Sequence, residues 1–175
     1  MPKGRGLGLA CHFTFGGYAA HAIEVSVSGK GALTIERIVC AVDVGRPINP
    51  LGIEAQMQGG TIDGLSAALL QAITVKDGRI GESGFNDYPI LPLAQTPTIE
   101  VYIIASTVDP KGCGEMAIPT VAPALANAIF NACGMRLRRL PIKDQLRRGD
   151  KVMPCCCRKM PLIRNQKAMT PYAAD

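Results

Sequence analysis

The sequence has no tryptophan and only eight aromatic residues in 175 positions, four Phe and four Tyr. A core must therefore be filled by Val, Ile, Leu and Ala, and at 47% hydrophobic content a single domain of this length has enough of them. No apolar run reaches the ~18 residues that argue for a membrane span. The opening Met-Pro-Lys-Gly-Arg-Gly-Leu-Gly-Leu-Ala is too short and too glycine-rich for a secretory leader. There is no Walker phosphate loop, no dinucleotide-binding glycine fingerprint and no cluster of metal ligands. Histidine is nearly absent: His12 and His21 lie far from the Cys155–Cys156–Cys157 run, and three adjacent thiols do not have zinc-site spacing. The other cysteines are Cys11, Cys40, Cys113 and Cys133, and an odd total without paired spacing excludes a disulfide framework. These features predict reduced thiols in a cytoplasmic protein.

The formal charge of +5 is unevenly placed. Residues 1–142 carry 11 basic and 11 acidic side chains, whereas residues 143–175 carry 8 basic and 3 acidic ones. The basic tail holds one aromatic residue, Tyr172, and no recognition motif, so nucleic acid is not expected as a partner. Two regions follow: a neutral globular part, 1–142, and a basic tail, 143–175, without apolar periodicity and expected to be poorly ordered.

Within the first region, residues 20–28 alternate apolar and polar, with Ile23, Val25 and Val27 on one side, which predicts a half-buried strand. Gly29-Lys30-Gly31 turns the chain into a second strand over 32–42, and 6–15 is read as a further strand despite its glycines. Asn49-Pro50 starts a helix over about 50–72, Asn capping free amides and Pro occupying a position without a needed N–H. Its expected buried stripe is Ile62, Leu65, Leu69 and Ile73. Gly59-Gly60 weakens that helix, so a neighbouring helix, a strand or a ligand must approach its backbone there. A small hairpin is expected from 73–75 and 79–80, then an extended connection over 81–97 and a strand over 99–105. Thr120 is read as the cap of a second helix lined by Val121, Leu125 and Ile129 and ended by Gly134. Residues 138–142 are read as a last short strand. The fold class is α+β, antiparallel hairpins with two packed helices.

Chemistry is sparse. In Gly112-Cys113-Gly114-Glu115 the glycines allow a sharp turn and a close approach to a bound group. A glutamate enclosed in a water-poor pocket becomes a better base, because desolvation disfavours its charged form. On local grounds alone, Glu115 reads equally as a solvated surface residue. Gln56, with one donor and one acceptor beside a glycine-thinned helix face, suits a flat heterocyclic ligand or simply water. Cys113 lacks a neighbouring histidine, which argues against a nucleophilic thiol.

Several ordered motifs together resemble the large, molybdopterin-binding subunit of the xanthine dehydrogenase/aldehyde oxidase family of molybdenum hydroxylases. They are Ala41-Val42-Asp43-Val44-Gly45, Ile48-Asn49-Pro50, Gln56-Met57-Gln58-Gly59-Gly60, Gly112-Cys113-Gly114-Glu115, the run from Ile118 through Ile129, and Leu140-Pro141-Ile142. The motifs are similar to those of the isoquinoline 1-oxidoreductase β subunit in particular, and the resemblance covers about residues 3–142, the C-terminal portion of such a subunit. It implies Glu115 as the catalytic base, with Gln56, Cys113 and Gly114 as cofactor-binding residues. The metal is held by the pterin, so no side chain need ligate it. The implied cofactor is molybdenum-molybdopterin cytosine dinucleotide, and the implied reaction hydroxylates an N-heterocycle or aldehyde with oxygen from water. Implied partners are the upstream part of the large subunit, a small [2Fe-2S] subunit and a small-molecule substrate. The expectation is a fragment or subunit inactive alone, from a truncated or frame-shifted gene or a separately encoded chain. The alternative is a non-catalytic α+β remnant that serves only as an interaction module.

Overall fold

The computed structural model describes residues 1–146. In chain order the elements are β1 (Arg5–Thr14), β2 (Gly17–Val27), β3 (Leu33–Asp43), α1 (Pro50–Leu69), β4 (Val75–Lys76), β5 (Arg79–Ile80), β6 (Ile99–Ile103) and α2 (Ile118–Cys133). Four strands form one sheet in the order β1-β2-β3-β6. β1–β2 and β2–β3 pair antiparallel, but β6 joins β3 in parallel, with Cys40 opposite Val101. The sheet is therefore mixed, because α1 and a long connection intervene before β6 and carry the chain back to the start of β3. The fold is α+β.

The period-two pattern of β2 sends Ala19, His21, Ile23 and Val25 to one face, all essentially inaccessible to water. Ile38, Cys40 and Val42 of β3 join them, and α1 and α2 cover this face. α2 contributes Val121, Ala124, Leu125, Ala128 and Ile129. The glycines of β1 acquire their reason here. A Cβ on Gly8 would lie 2.0 Å from the Ala124 carbonyl oxygen, and one on Gly6 would lie 2.1 Å from that of Ala128. The backbone of α2 rests directly on β1, and only glycine admits it. The two-residue turn between β1 and β2 is Phe15-Gly16, both at positive φ (52° and 79°), the geometry of a tight hairpin.

α1 begins as expected, with Asn49 Oδ1 accepting from the Gly52 amide at 3.1 Å. It ends at Leu69, short of 72. Its buried face is Ile53, Met57, Thr61, Gly64, Leu65 and Ala68; Ile62 and Leu69 are only half-buried, and Ile73 lies beyond the helix and is exposed. The tertiary contact with α2, not the apolar count, selects that face. Gly60 and Gly64 meet Ala117 and Val121, whereas Gly59 faces open space, so the close approach is a helix and spares one of the two predicted glycines.

Thr120 does not cap α2. The cap position is Ala117, without a side-chain hydrogen bond, and Thr120 sits inside the first turn with its hydroxyl committed elsewhere. Gly134 ends the helix in the left-handed conformation (φ 77°). Residues 138–142 form no strand. They fold back onto the end of α1, where the Ile142 amide donates to the Ala68 carbonyl at 2.8 Å, and Ile142 is buried. The expectation for 143–175 falls largely outside the described residues.

Candidate functional site

The loop between β6 and α2 is fastened to the segment between β3 and α1. The Ile104 amide donates to the Val42 carbonyl, Arg46 to Val108, and Lys111 to Val44, at 2.7–2.8 Å. Gly45, at φ 69°, makes this possible: a Cβ there would sit 2.2 Å from the Asp109 carbonyl oxygen. Asp43 steadies the turn by accepting from the Gly45 amide at 3.0 Å. This lacing lays residues 112–115 beside the second turn of α1.

Gln56 lies on the exposed side of that turn, and its Nε2 reaches the Gly114 carbonyl oxygen at 3.4 Å. The contact is long, engages one N–H, and leaves the amide oxygen to a ligand. Gly59, three residues on and so on the same helix face, has nothing within 4 Å of the position a Cβ would take. Cys113 is half-buried against the cluster formed by Met57, Met116, Ala117 and Ile53. Glu115 is exposed. The water-poor pocket expected around it is thus not formed by the described residues, which build only one side of the site. Among them no group of three or more His, Cys, Asp or Glu could hold a metal ion. The groups offered are instead one amide side chain and an exposed carboxylate beside a glycine that leaves the helix surface unobstructed, which fits a flat, hydrogen-bonding organic cofactor that brings its own metal ligands. A cleft of about 730 Å³, lined in part by Leu33, Ile35, Leu69 and Leu91, lies at the other end of α1 and contains none of these residues.

Two further features position these residues without a motif in the sequence to mark them. The first is the hairpin tip: Phe15 is held at positive φ with its Cβ 3.3 Å from where a Gly112 Cβ would be, and the Lys111 stem packs on Gly16. The second is His21. Buried at the sheet centre, its Nδ1 lies 2.7 Å from Thr120 Oγ1 and its Nε2 2.8 Å from Thr61 Oγ1. Thr61 also donates to the Met57 carbonyl at 2.6 Å, and Thr120 approaches the Ala117 carbonyl at 3.0 Å. Burial pushes the imidazole down to about 4, so it is neutral near pH 7 and has one N–H for two threonines. The shorter Thr61–Met57 contact keeps that hydroxyl proton. Nε2–H then donates to Thr61, and Thr120 turns its proton to Nδ1. His21 thereby ties the α1 turn that starts beside Gln56 to the α2 turn that follows Glu115. The only signal in the sequence was its place on the apolar side of β2. Cys40, beside it in the core, has its thiol pushed up to about 11 by burial, which makes it inert as a nucleophile.

Residues 3–97 match the family model described as a molybdopterin cofactor-binding domain. The chain is 36% identical over 144 residues to the isoquinoline 1-oxidoreductase subunit beta of Brevundimonas diminuta, covering 82% of this chain and 18% of that one. It is 34% identical over 135 residues to the aldehyde oxidoreductase molybdenum-binding subunit PaoC of Escherichia coli K12, covering 71% of this chain and 18% of that one. Quinoline 2-oxidoreductase from Pseudomonas putida 86 superposes with a TM-score of 0.69 at 23% identity, over 79% of this chain and 19% of its own, which shows the shared fold. The chain thus spans less than a fifth of the length of each of these relatives. It belongs to the molybdopterin cofactor-binding domain family of the xanthine dehydrogenase-type molybdenum hydroxylases, as a portion of their large subunit.

Proposed function

We propose that this chain forms one wall of the cofactor pocket in a molybdenum hydroxylase that converts the C–H of an electron-poor N-heterocycle or an aldehyde to C–OH. Water supplies the oxygen, and two electrons and two protons are released. The observation that carries the reading is the meeting of Gln56 with Gly114, one residue before Glu115, on a face where Gly59 leaves the helix backbone open.

Gln56 would hold the pterin through its amide, and the backbone of Cys113 and Gly114 would border the metal centre. When bound, as the cytosine dinucleotide form, the molybdenum cofactor supplies a Lewis acid and an acceptor for the two electrons. Glu115 takes the proton from the attacking oxygen, and its exposure leaves it free to point into a pocket completed by other polypeptide. His21, the lacing at Gly45 and the Phe15 tip fix where that carboxylate starts from. The enclosing surfaces would come from the upstream part of the large subunit, and electrons would leave through a small [2Fe-2S] subunit, so the chain is inactive alone.

The test is reconstitution with separately expressed upstream large-subunit polypeptide and iron–sulfur subunit, followed by turnover of an N-heterocycle and an aldehyde with an artificial electron acceptor. Glu115→Gln should retain molybdenum and lose about 10²–10⁴-fold in kcat, the range for a positioned general base. Undiminished turnover by that variant would refute the assignment.

A further inference from the structure

We propose that the outer face of the four-stranded sheet, turned away from α1 and α2, is a docking surface for an apolar helix face of the remaining large-subunit polypeptide. The inference rests on the family reading above. Small side chains line the two central strands on this face: Ala20 and Ala22 on β2, Val39 and Ala41 on β3, which floor a shallow cleft of about 490 Å³. Larger apolar groups flank them. Leu9 and Phe13 on β1 are 65% and 59% exposed, and Tyr102 on β6 is 54% exposed. A low floor between raised sides admits a convex ridge of side chains, which is how a helix lies on a sheet. Apolar side chains grouped on a face left open among the described residues mark an interaction site.

The charges on the same face exclude a strongly charged occupant. Arg5 pairs with Glu24 at 2.9 Å and Arg37 with Glu100 at 2.6 Å, so the ions at its far end neutralise one another. A strand added at the β1 edge is also disfavoured. Asn127 and Asn131 of α2 donate to the Leu9 and Leu7 carbonyls at 3.1 and 2.7 Å and occupy acceptors that such a strand would need. A partner therefore comes onto the face and not against that edge.

Exposed apolar residues elsewhere decide between a second copy and a larger polypeptide. Ile48 (71%) and Leu51 (78%) stand at the start of α1, away from this face. A twofold contact uses one self-complementary patch and would leave these open. The relatives matched above extend over more than four-fifths of their length beyond the matched portion, and a polypeptide of that size can cover several patches at once.

Cys11, exposed on β1 within the cleft lining, is a built-in reporter, and Cys133 at the end of α2 is the reference thiol. The full chain is mixed with the separately expressed upstream portion of the Brevundimonas diminuta relative and alkylated with iodoacetamide, and labelling is read peptide by peptide. Complex formation should slow labelling of Cys11 at least tenfold relative to Cys133. Leu9→Lys should weaken the complex at least tenfold while leaving the unfolding midpoint of the chain unchanged. Three results overturn the proposal: no complex, a complex in which Cys11 reacts at its free rate, or Cys11 protected in the chain alone with a doubled mass. A complex that protects Cys11 but holds no molybdenum keeps the docking surface and sinks the pocket; a molybdenum-loaded complex with Cys11 fully reactive does the reverse.

Discussion

The two faces of the sheet carry similar chemistry and have opposite fates. On the inner face Ile23, Val25, Ile38 and Val42 are sealed by α1 and α2, and even a histidine is satisfied there by two threonines. On the outer face Leu9, Phe13, Tyr18 and Tyr102 stand more than half exposed, with the Phe13 and Tyr18 rings packed together at a separation of 4.9 Å. Strand alternation sends Leu9, Phe13, Ala20, Ala22, Val39 and Ala41 to the outer face beside Glu24 and Arg37, and only the inner face finds its cover within residues 1–146. The candidate site follows the same division: Met57 and Met116 beneath it are closed, while Gln56, Gly59 and Glu115 above are open.

Adjacent residues on opposite faces give the sharpest contrast. Gly8→Ala places a methyl group 2.0 Å from the Ala124 carbonyl oxygen, against backbone that cannot move aside. It should cost at least about 3 kcal/mol in urea unfolding, the upper range of overpacking. A loss below about 1 kcal/mol would mean that α2 does not rest on β1 as described.

His21 gives the next effect, read as pH dependence. Its folded value, about 4, lies below the unfolded value of 6.5, so the unfolded chain binds the proton first. Stability is full above about pH 6.5 and falls as the pH drops toward 4, by about 3 kcal/mol from this group alone. His21→Gln, which does not titrate, should flatten that part of the curve. Identical slopes for the two proteins between pH 6.5 and 4 would contradict a buried, neutral histidine.

On the open side the expected effects shrink and change sign. Gly59→Ala meets no atom within 4 Å and should stabilise the free chain by up to about 1 kcal/mol, through helix propensity, while lowering cofactor retention in the assembled protein. Stabilisation without loss of cofactor would remove Gly59 from the site. Leu9→Lys should change stability by less than about 0.5 kcal/mol, as an exposed substitution does. A larger loss would mean the outer face already has a cover.

The features legible in the sequence were those set by local rules. The alternation of β2, the Asn49-Pro50 start, the Asp77-Gly78 turn and the Gly134 stop depend on a few neighbouring residues, and the structure has each of them. Tertiary facts were not legible. The glycines of β1 looked like a weakness because the helix that needs them lies more than a hundred residues away. Thr120 looked like a cap because its real partner, His21, is on another element. The buried stripe of α1 is not legible because this helix has apolar residues around most of its surface, and packing alone picks the buried ones. For the site, the motif resemblance named Gln56, Cys113, Gly114 and Glu115, and the fold brings Gln56 to the Gly114 carbonyl. The enclosure expected around Glu115 is absent among the described residues, where the carboxylate is exposed.

The most direct test is the molybdenum content of the complex between this chain and an upstream large-subunit polypeptide, compared between wild type and Gln56→Ala. Stoichiometric metal in the wild type and a several-fold loss in the variant, with the complex intact, are the expected results. No metal in the wild type, or equal metal in both, would contradict a pterin pocket on this face of α1.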